Sequence, residues 1–449
     1  MHRSRGPESK TWRFNSAGST SHERAIVGSF ALAEAAGQTL PPAVADLLEV
    51  AGAIHVIDRA VRRPTLCAGI GSWSREFEVV IGVRDVERWN RPEVRTSLTE
   101  LLAWLTDDSW AIEFTNRAAS AVPAECVQFL FPSNADVDSV ALFSGGVDSV
   151  AGLALAHQDG RRPMLLSAQS NRRMMAGQIE VLDALRTRAG IEPAHVGVDL
   201  YLDHVRSPEA SQRARGFGFL SLGAALLELI GENELLVFEN GVGAINLPYS
   251  AAQAGAHGTR AMHPATLSRA AELFSLLFDR AVRVSNPNQF RTKAEMCGAL
   301  PKDVQLLLPL ARSCDTAYAT RLSPDSCGAC TSCLLRRQAL IAVGLEHIDA
   351  ATDVRFDAFA PTALLDGAAY PLRAMLSQAA RLATAIASPN PWHAICAEFP
   401  DITLAVTGLH DTTNASSELI DLYMRYVREW QAFPASITGR YFNDGRAAA

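Results

Sequence analysis

The stretch that decides the fold is VALFSGGVDSVAGLALA, residues Val140 to Ala156. Its apolar start predicts a buried strand, and its Ala/Leu-rich end predicts a helix. The Ser-Gly-Gly-x-Asp-Ser turn between them would lie at the carboxyl end of the strand, where parallel sheets bind their ligands. Two glycines leave backbone N–H groups accessible, and a helix N-terminus with serine hydroxyls favours anionic oxygens. The stretch therefore predicts a phosphate-binding loop made of Ser144, Gly145, Gly146, Val147, Asp148 and Ser149.

The predicted loop lacks the lysine of the G-x-x-x-x-G-K-[ST] phosphate loop, so it belongs to another class. Asp148 would repel a bare anion, which suggests either a bound magnesium ion or a hydrogen bond that braces the loop. An ordinary strand-to-helix turn, with glycines for close packing, is the alternative interpretation. Five fixed residues coincide by chance at roughly one position in a million, which favours the binding loop.

The composition limits the classes of function. With 449 residues the chain is expected to form two or three domains, and 48% hydrophobic residues supply ample cores. The 41 basic and 48 acidic residues give a net charge of −7, which argues against nucleic acid as a direct ligand. No apolar stretch reaches the ~18 residues of a membrane span, and the polar first residues lack the apolar core of a signal peptide. We therefore expect a cytoplasmic protein without a membrane partner.

The pattern along the chain divides it into three regions. Residues 1–134 alternate as in strands and predict an α+β accessory domain, and residues 349–449 have helical spacing. Residues 135–348 alternate strands with helices, which predicts the α/β class with a doubly wound parallel sheet. The strand candidates of this central region are Val140–Phe143, Met164–Ala168, His195–Leu200, Leu235–Phe238 and Ala281–Val284, with helices at Gly216–Gly231 and Pro264–Phe278.

Four of the eight cysteines lie in one segment, with the spacing C-x12-C-x2-C-x2-C. A reducing compartment disfavours disulfides at such spacing. Four thiolates brought together form a closed tetrahedral zinc site without an open position, so the zinc would be structural. A [4Fe–4S] cluster and four unconnected core cysteines are the alternatives. Zinc is favoured, and its predicted ligands are Cys314, Cys327, Cys330 and Cys333.

The loop at residues 144–149 resembles the PP-loop of the ATP pyrophosphatase superfamily. Enzymes of this superfamily have an adenine nucleotide alpha hydrolase-like fold and cleave ATP between the α and β phosphates. They adenylate an oxygen of the substrate, and a nucleophile then displaces AMP. The resemblance implies ATP and Mg²⁺ as co-substrates and gives Ser144 and Asp148 catalytic roles.

The cysteine segment, SC…CGACTSCLLR, resembles that of 7-cyano-7-deazaguanine synthases, the QueC family, in which it binds zinc. Shorter pieces follow in the order of that family. They imply that Gln169 lies near the adenosine, and that Lys293 and Arg215 offset the charge of the departing pyrophosphate. The resemblance covers residues 135–348 and is specific mainly at its two ends.

The substrate loop departs from the QueC pattern. Where the synthases carry a loop rich in tyrosine and aspartate, this chain has ENGVGAINLPYSAAQAGAHGTRAMHPATL, residues 239–267. Asn240, Arg260 and His263 are the candidates for contacting the substrate there. The alternative is that Asn240 belongs to a turn and His263 to the start of a helix.

The added flanking regions resemble the layout of QueC-like proteins in bacterial anti-phage systems, the Qat and type IV CBASS groups. That resemblance implies an ATP-dependent ligase that adenylates 7-carboxy-7-deazaguanine and joins it through an amide to the amino terminus of a partner protein. Three alternatives stay open at this stage. They are nitrile synthesis with ammonia, a PP-loop enzyme that modifies tRNA, and a nucleotide-binding module whose chemistry has decayed.

Overall fold

The structure of the protein, a computed structural model, describes residues 11–14, 24–63, 73–117, 123–126, 136–203, 208–250, 258–315, 326–349, 354–360, 367–409 and 413–433. The strands in these ranges are β1 (Thr11–Phe14), β2 (Arg24–Val27), β3 (Glu76–Val83), β4 (Ser109–Asn116), β5 (Ser139–Leu142), β6 (Pro163–Gln169), β7 (His195–Asp203), β8 (Glu234–Val237) and β9 (Arg283–Ser285).

The helices of the same ranges are α1 (Ser29–Ala36), α2 (Pro42–Ala60), α3 (Val86–Trp89), α4 (Pro92–Thr106), α5 (Pro123–Cys126), α6 (Val147–Gln158), α7 (Arg172–Ala189), α8 (Arg215–Ile230), α9 (Gly241–Ile245), α10 (Pro264–Phe278), α11 (Lys293–Gly298), α12 (Lys302–Gln305), α13 (Thr331–Ala342), α14 (Glu346–Asp349), α15 (Tyr370–Ile386), α16 (Pro391–Glu398), α17 (Ile402–Thr407) and α18 (Ala415–Gln431).

Six strands form the main sheet, in the order β2-β7-β6-β5-β8-β9. Strands β5 to β9 run parallel, and β2 pairs antiparallel with β7 at one edge. The central strands are apolar runs covered on both faces, and Val140, Ala141 and Leu165 have no exposed surface. The α/β class is therefore confirmed, and the strands and helices predicted for the central region are present to within a few residues.

The strand order indicates where a ligand would bind at the edge of the sheet. The chain builds one half of the sheet from β5 through β6 to β7, and then crosses to build the other half from β8 to β9. The order thus reverses between the adjacent strands β5 and β8. A crevice opens beyond the carboxyl ends of the strands at such a point, and the loops after β5 and β8 both begin there.

The region before residue 135 divides between two sheets. Strands β1, β3 and β4 form a separate three-stranded parallel sheet, in which β3 and β4 alternate buried and exposed residues as predicted. Strand β2 instead joins the main sheet, and α2 packs against α8. One apolar core consequently runs across the boundary predicted at residue 134, so this region is not an appendage separated by a gap in packing.

The C-terminal region is helical, as predicted. Helix α18 buries an apolar face that includes Leu419, Leu422 and Tyr426, spaced at three and four residues, and it packs against α15. It also contacts α9 and α13, which follow β8 and the cysteine segment. The C-terminal region thereby covers the flank of the crevice. None of the helices in the ranges given above has the length and apolar character needed to cross a membrane.

Candidate active site

The loop after β5 folds on its own side chains. Gly145 has a φ of 76°, in the left-handed region that a side chain would strain. The Gly146 amide donates to Ser144 Oγ at 3.2 Å, and Ser149 Oγ donates to the Gly146 carbonyl at 2.9 Å. The two serine oxygens lie 3.1 Å apart. The loop therefore sits preformed at the amino end of α6, a 12-residue helix, where backbone N–H groups favour anions.

The residues that precede the cysteine segment pack directly on this loop. The Val147 amide donates to Ser313 Oγ at 3.2 Å, although the two residues are far apart in the chain. A Cβ on Gly146 would lie only 3.3 Å from the Arg312 carbonyl oxygen, so the second glycine permits this close approach. The cysteine segment and the loop therefore form one unit.

A buried charged cluster lies beside the loop. Asp148, in the first turn of α6, forms an ion pair with Lys293, the first residue of α11. Asn240 Nδ2 donates to Asp148 Oδ1 at 3.0 Å and to Glu239 Oε1 at 2.7 Å. A capping box between Thr292 and Glu295 fixes the start of α11, and so the place of Lys293. Asp148 thus braces the loop in this structure, which is one of the two roles predicted for it.

The cluster contains two carboxylates and one ammonium group, and its pKa values reflect that imbalance. Burial, and then the charge of Asp148, raise the pKa of Glu239 to about 8, against the opposing effect of Lys293. Burial by itself would lower the pKa of Lys293, but the charges of Asp148 and Glu239 outweigh it and raise the pKa. At neutral pH Lys293 is therefore charged, and the raised pKa of Glu239 favours its protonated form.

A cavity of about 510 Å³ opens over the loop and the cluster. Ser144, Gly146, Asp148, Glu239 and Lys293 line it. Tyr249, Thr259, Asp315 and Ser332 add further hydrogen-bonding groups to its lining. A volume of this order, with a few convergent polar groups, is typical of a small-molecule site.

The remaining loop residues pack behind those that face the cavity. Val147 and Ser149 are buried, and a Cβ on Gly145 would lie 3.4 Å from the side chain of Gln178. The structure therefore brings Ser144, Asp148 and Lys293 together at one cavity, with Gly145, Val147 and Ser149 as its support.

The four predicted metal ligands lie together. The Sγ atoms of Cys314, Cys327, Cys330 and Cys333 all lie within 4.8 Å of one another. The Cys314–Cys330 and Cys327–Cys333 sulfur pairs are each 4.0 Å apart. Four sulfurs that bind one zinc ion tetrahedrally lie about 3.8 Å apart. In a four-iron cluster each thiolate binds a different iron, which requires a wider separation. The cysteine cluster could therefore hold a single metal ion such as zinc.

Local backbone geometry shapes the cysteine cluster. The amides of Ala329 and Cys330 donate to Cys327 Sγ at 3.4 and 3.2 Å, and such bonds favour a thiolate. Gly328 has a φ of 76°, and a Cβ there would lie 1.9 Å from the Phe356 carbonyl oxygen. This position requires glycine, which agrees with the tight turn expected between the cysteines.

Two of the predicted substrate residues lie elsewhere. Arg260 is stacked over the ring of Trp104, 4.1 Å from its centroid, and pairs with Asp107 at 3.0 Å. His263 caps α10 by accepting from the Ala265 amide at 3.2 Å, and burial lowers its pKa to about 3. Neither residue lines the cavity. Both residues contact Trp104 of α4, and the helix-start interpretation of His263 is confirmed.

Three further predicted site residues do not line the cavity. They are Asn240, Gln169 and Arg215. Asn240 is fully buried and caps α9, so it holds Asp148 and Glu239 rather than facing the cavity. Gln169 ends β6, and its side chain lies against Gly197 of β7. Arg215 begins α8, with its guanidinium 4.8 Å from the ring centroid of Phe219. Neither Gln169 nor Arg215 lines the cavity described above, and their roles stay predictions.

Sequence reasoning missed Glu239 and Ser313 as site residues. Glu239 follows the buried strand β8 just as Ser144 follows β5, so a polar residue beyond a central strand was the available signal. Ser313 belongs to the SC pair of the cysteine motif, but only the fold shows that its hydroxyl reaches the loop.

No protein-family model and no curated protein matches the chain. The likeness to PP-loop enzymes and to the QueC family therefore rests on the residues of the two motifs.

Proposed function

We propose that the protein is an ATP-dependent ligase that adenylates a deazaguanine carboxylate, 7-carboxy-7-deazaguanine, and forms an amide with the amino terminus of a partner protein. The supporting observation is that the two sequence motifs lie next to each other in the structure. The loop at residues 144–149, Lys293 and the segment that begins at Ser313 meet around one cavity. These are the parts by which the chain resembles QueC-like ligases.

The residues of the cavity suit the first half-reaction. Ser144 and the amides at the start of α6 would hold the β and γ phosphates, and Lys293 would offset charge as pyrophosphate leaves. Asp148 keeps Lys293 in place and charged. ATP would bring Mg²⁺ on its own phosphates. Because such a step forms no covalent bond to the enzyme, positioning and electrostatics suffice for it.

The other polar residues of the cavity lining suit a heterocyclic acid. Burial, and then the charge of Asp315, raise the pKa of Tyr249, so its hydroxyl keeps its proton and can donate. Thr259 and Ser332 supply further hydroxyl groups. A guanine-type edge presents both donors and acceptors, which such a lining could satisfy.

The test is ATP–pyrophosphate exchange with 7-carboxy-7-deazaguanine as the only acid and no amine present. We expect exchange that depends on the acid, and we expect Lys293→Met to reduce it by about 10³-fold, the scale of a lost charge-stabilising group. Lys302→Met is the matched control, since Lys302 is exposed on α12.

Exchange in the wild type and in Lys302→Met, but not in Lys293→Met, would support the assignment. Folded, metal-loaded protein that shows no acid-dependent exchange would contradict it. Metal analysis and the visible spectrum of the same sample separate zinc, which is colourless, from an iron–sulfur cluster. Product analysis with ammonia then distinguishes a nitrile from an amide.

A further inference from the structure

Glu239 has no role in the proposed first half-reaction. It follows β8 after Phe238, and it lines the cavity together with Asp148. Oε1 accepts from Asn240 Nδ2 at 2.7 Å. No hydrogen bond from the described residues reaches Oε2, so one carboxyl oxygen is available to a molecule in the cavity.

The residues around Glu239 hold its backbone and leave room for its carboxyl group. Asn286 Nδ2 donates to the Glu239 carbonyl at 2.8 Å, and the Glu239 amide donates to Asn286 Oδ1 at 3.4 Å. A Cβ on Gly243 would lie 2.5 Å from Glu239 Oε1, so glycine there leaves room for the side chain. Asn286, just after β9, holds the backbone of Glu239, and Asn240, at the start of α9, holds its carboxyl group. Together they fix the direction of the side chain.

Burial and the neighbouring charges give Glu239 the strength of a base that works near neutrality. Burial, and then the charge of Asp148 on α6, raise its pKa to about 8, and Lys293 on α11 opposes this rise. A general base is most effective when its pKa lies near the working pH. Tyr249, which also lines the cavity, keeps its proton because its pKa is raised, and it does not compete as a base.

Other acids near the cavity are less suitable. Asp315 lines it, but its Oδ1 accepts from Ser332 Oγ at 2.6 Å and it adjoins Cys314 of the cysteine cluster. Asp148 is occupied by Lys293 and Asn240. Burial raises the pKa of Glu429 to about 7, but its two oxygens accept from Thr292 and from Gln338, and it does not line the cavity.

We propose that the Glu239 carboxylate is the general base of the second half-reaction, a role that rests on the proposed ligase function. The amine nitrogen attacks the carbonyl carbon of the acyl adenylate, and a C–N bond forms. The bond from that carbon to the AMP oxygen breaks, and AMP leaves with the electron pair. The nitrogen gives up one proton to Glu239 Oε2, which later releases it to water.

The test separates the two half-reactions in Glu239→Gln. Glutamine has the shape of the protonated carboxyl group that the folded protein already holds at neutral pH, so the variant should fold. Acid-dependent ATP–pyrophosphate exchange should stay within several-fold of the wild type. Amide formation with ammonia or glycinamide should fall by about 10²–10⁴-fold, the contribution of a general base.

Hydroxylamine provides the second arm of the test. It is a strong nucleophile that is unprotonated at neutral pH and needs little help from a base. We expect Glu239→Gln to form the hydroxamate at a rate within several-fold of the wild type. Glu272→Gln, at an exposed position of α10, is the matched control and should resemble the wild type with every amine.

The outcomes keep the two proposals apart. Absence of exchange in the wild type overturns the ligase function itself. Exchange in both proteins with equal amide formation overturns only the role of Glu239. Loss of exchange in Glu239→Gln, or an equal loss with hydroxylamine and ammonia, also overturns it, because Glu239 would then act on adenylation or on structure.

Discussion

The protein contains two buried clusters of charged side chains, and they differ in completeness. In the first, Arg75 Nη2 lies 2.6 Å from Asp58 Oδ1 and 2.7 Å from Asp108 Oδ2. Arg63 makes a two-pronged contact with the same Asp108, with both distances at 2.9 Å. Asp58 also accepts from the Ala214 amide at 3.0 Å. The charges of the two carboxylates and the two guanidinium groups balance, and these contacts connect α2 and the start of β4 to the start of α8.

The second cluster is unbalanced and open. Asp148 and Glu239 share one cation, Lys293, and burial together with the charge of Asp148 raises the pKa of Glu239. All three residues line the cavity, whereas none of the first cluster does. The comparison teaches that burial of charge does not by itself mark a functional site. A buried acid whose pKa is raised beside a cavity is the better marker, because such perturbed groups cluster at functional sites.

Breaking the second cluster and its loop should produce the largest effect, and it should fall on activity. Ser144→Ala with Asp148→Asn removes a proposed phosphate contact and the ion-pair partner of Lys293. We expect AMP formation to fall by about 10⁴-fold, since each lost stabilising group costs 10²–10³. Glu239 can ionise to pair with Lys293, so the circular dichroism spectrum should be unchanged. Turnover within ten-fold of the wild type would contradict the site assignment.

Breaking the first cluster should act on stability instead. Arg75→Met leaves Asp58 and Asp108 with less compensation in a buried place, and we expect a loss of about 3–5 kcal/mol in the free energy of unfolding. Lys293→Met should cost less, because one of its two carboxyl partners is already neutral. Urea unfolding of both variants measures the difference. If Lys293→Met proves the more destabilising, the comparison between the clusters is wrong.

The pH dependence of stability should also distinguish the clusters. The pKa of Glu239 is raised by folding, so its contribution to stability is present below the unfolded value and is lost as pH rises toward about 8. Between pH 5 and 8 the wild type should therefore lose about 1 kcal/mol per pH unit relative to Glu239→Gln. If the free energies of unfolding of the two proteins instead change equally with pH across this range, Glu239 is already ionised in the folded protein.

The smallest expected effect concerns the contact between the cysteine segment and the loop. Ser313→Ala removes one hydrogen bond to the Val147 amide, which is worth about 1 kcal/mol. We expect the KM for ATP to rise about five-fold with little change in kcat. Removal of the metal with a chelator that prefers zinc to magnesium should have an effect at least as large, because Ser313 adjoins Cys314. An unaltered KM in both cases would show that the two parts are independent.

Much of the fold could be predicted because its signals are local. The apolar strands, the Gly-Gly turn and the cysteine spacing each occupy a few consecutive residues, and the structure has the strands and the cysteine cluster where they were expected. Strand β2 could not be placed, because pairing with the edge of a distant sheet leaves no local pattern.

Long-range contacts also explain why two of the predicted substrate residues do not line the cavity. Arg260 and His263 have the chemistry of substrate ligands, but Trp104, from another region of the chain, takes both as packing partners. Glu239 looks like any strand-ending acid until Asp148 and Lys293 are brought next to it. Which charges become neighbours is decided by the topology of the sheet rather than by sequence spacing.

The hydrogen bond between Ser313 and the loop has a thermodynamic consequence. If an ion among the cysteines helps to hold the ATP-binding loop in shape, then binding at the two places is coupled, and such coupling is reciprocal. ATP must then protect the ion against extraction by the same factor by which the ion improves ATP affinity. Metal release would be slowest while nucleotide is bound, and the protein would lose its ion mainly between catalytic cycles.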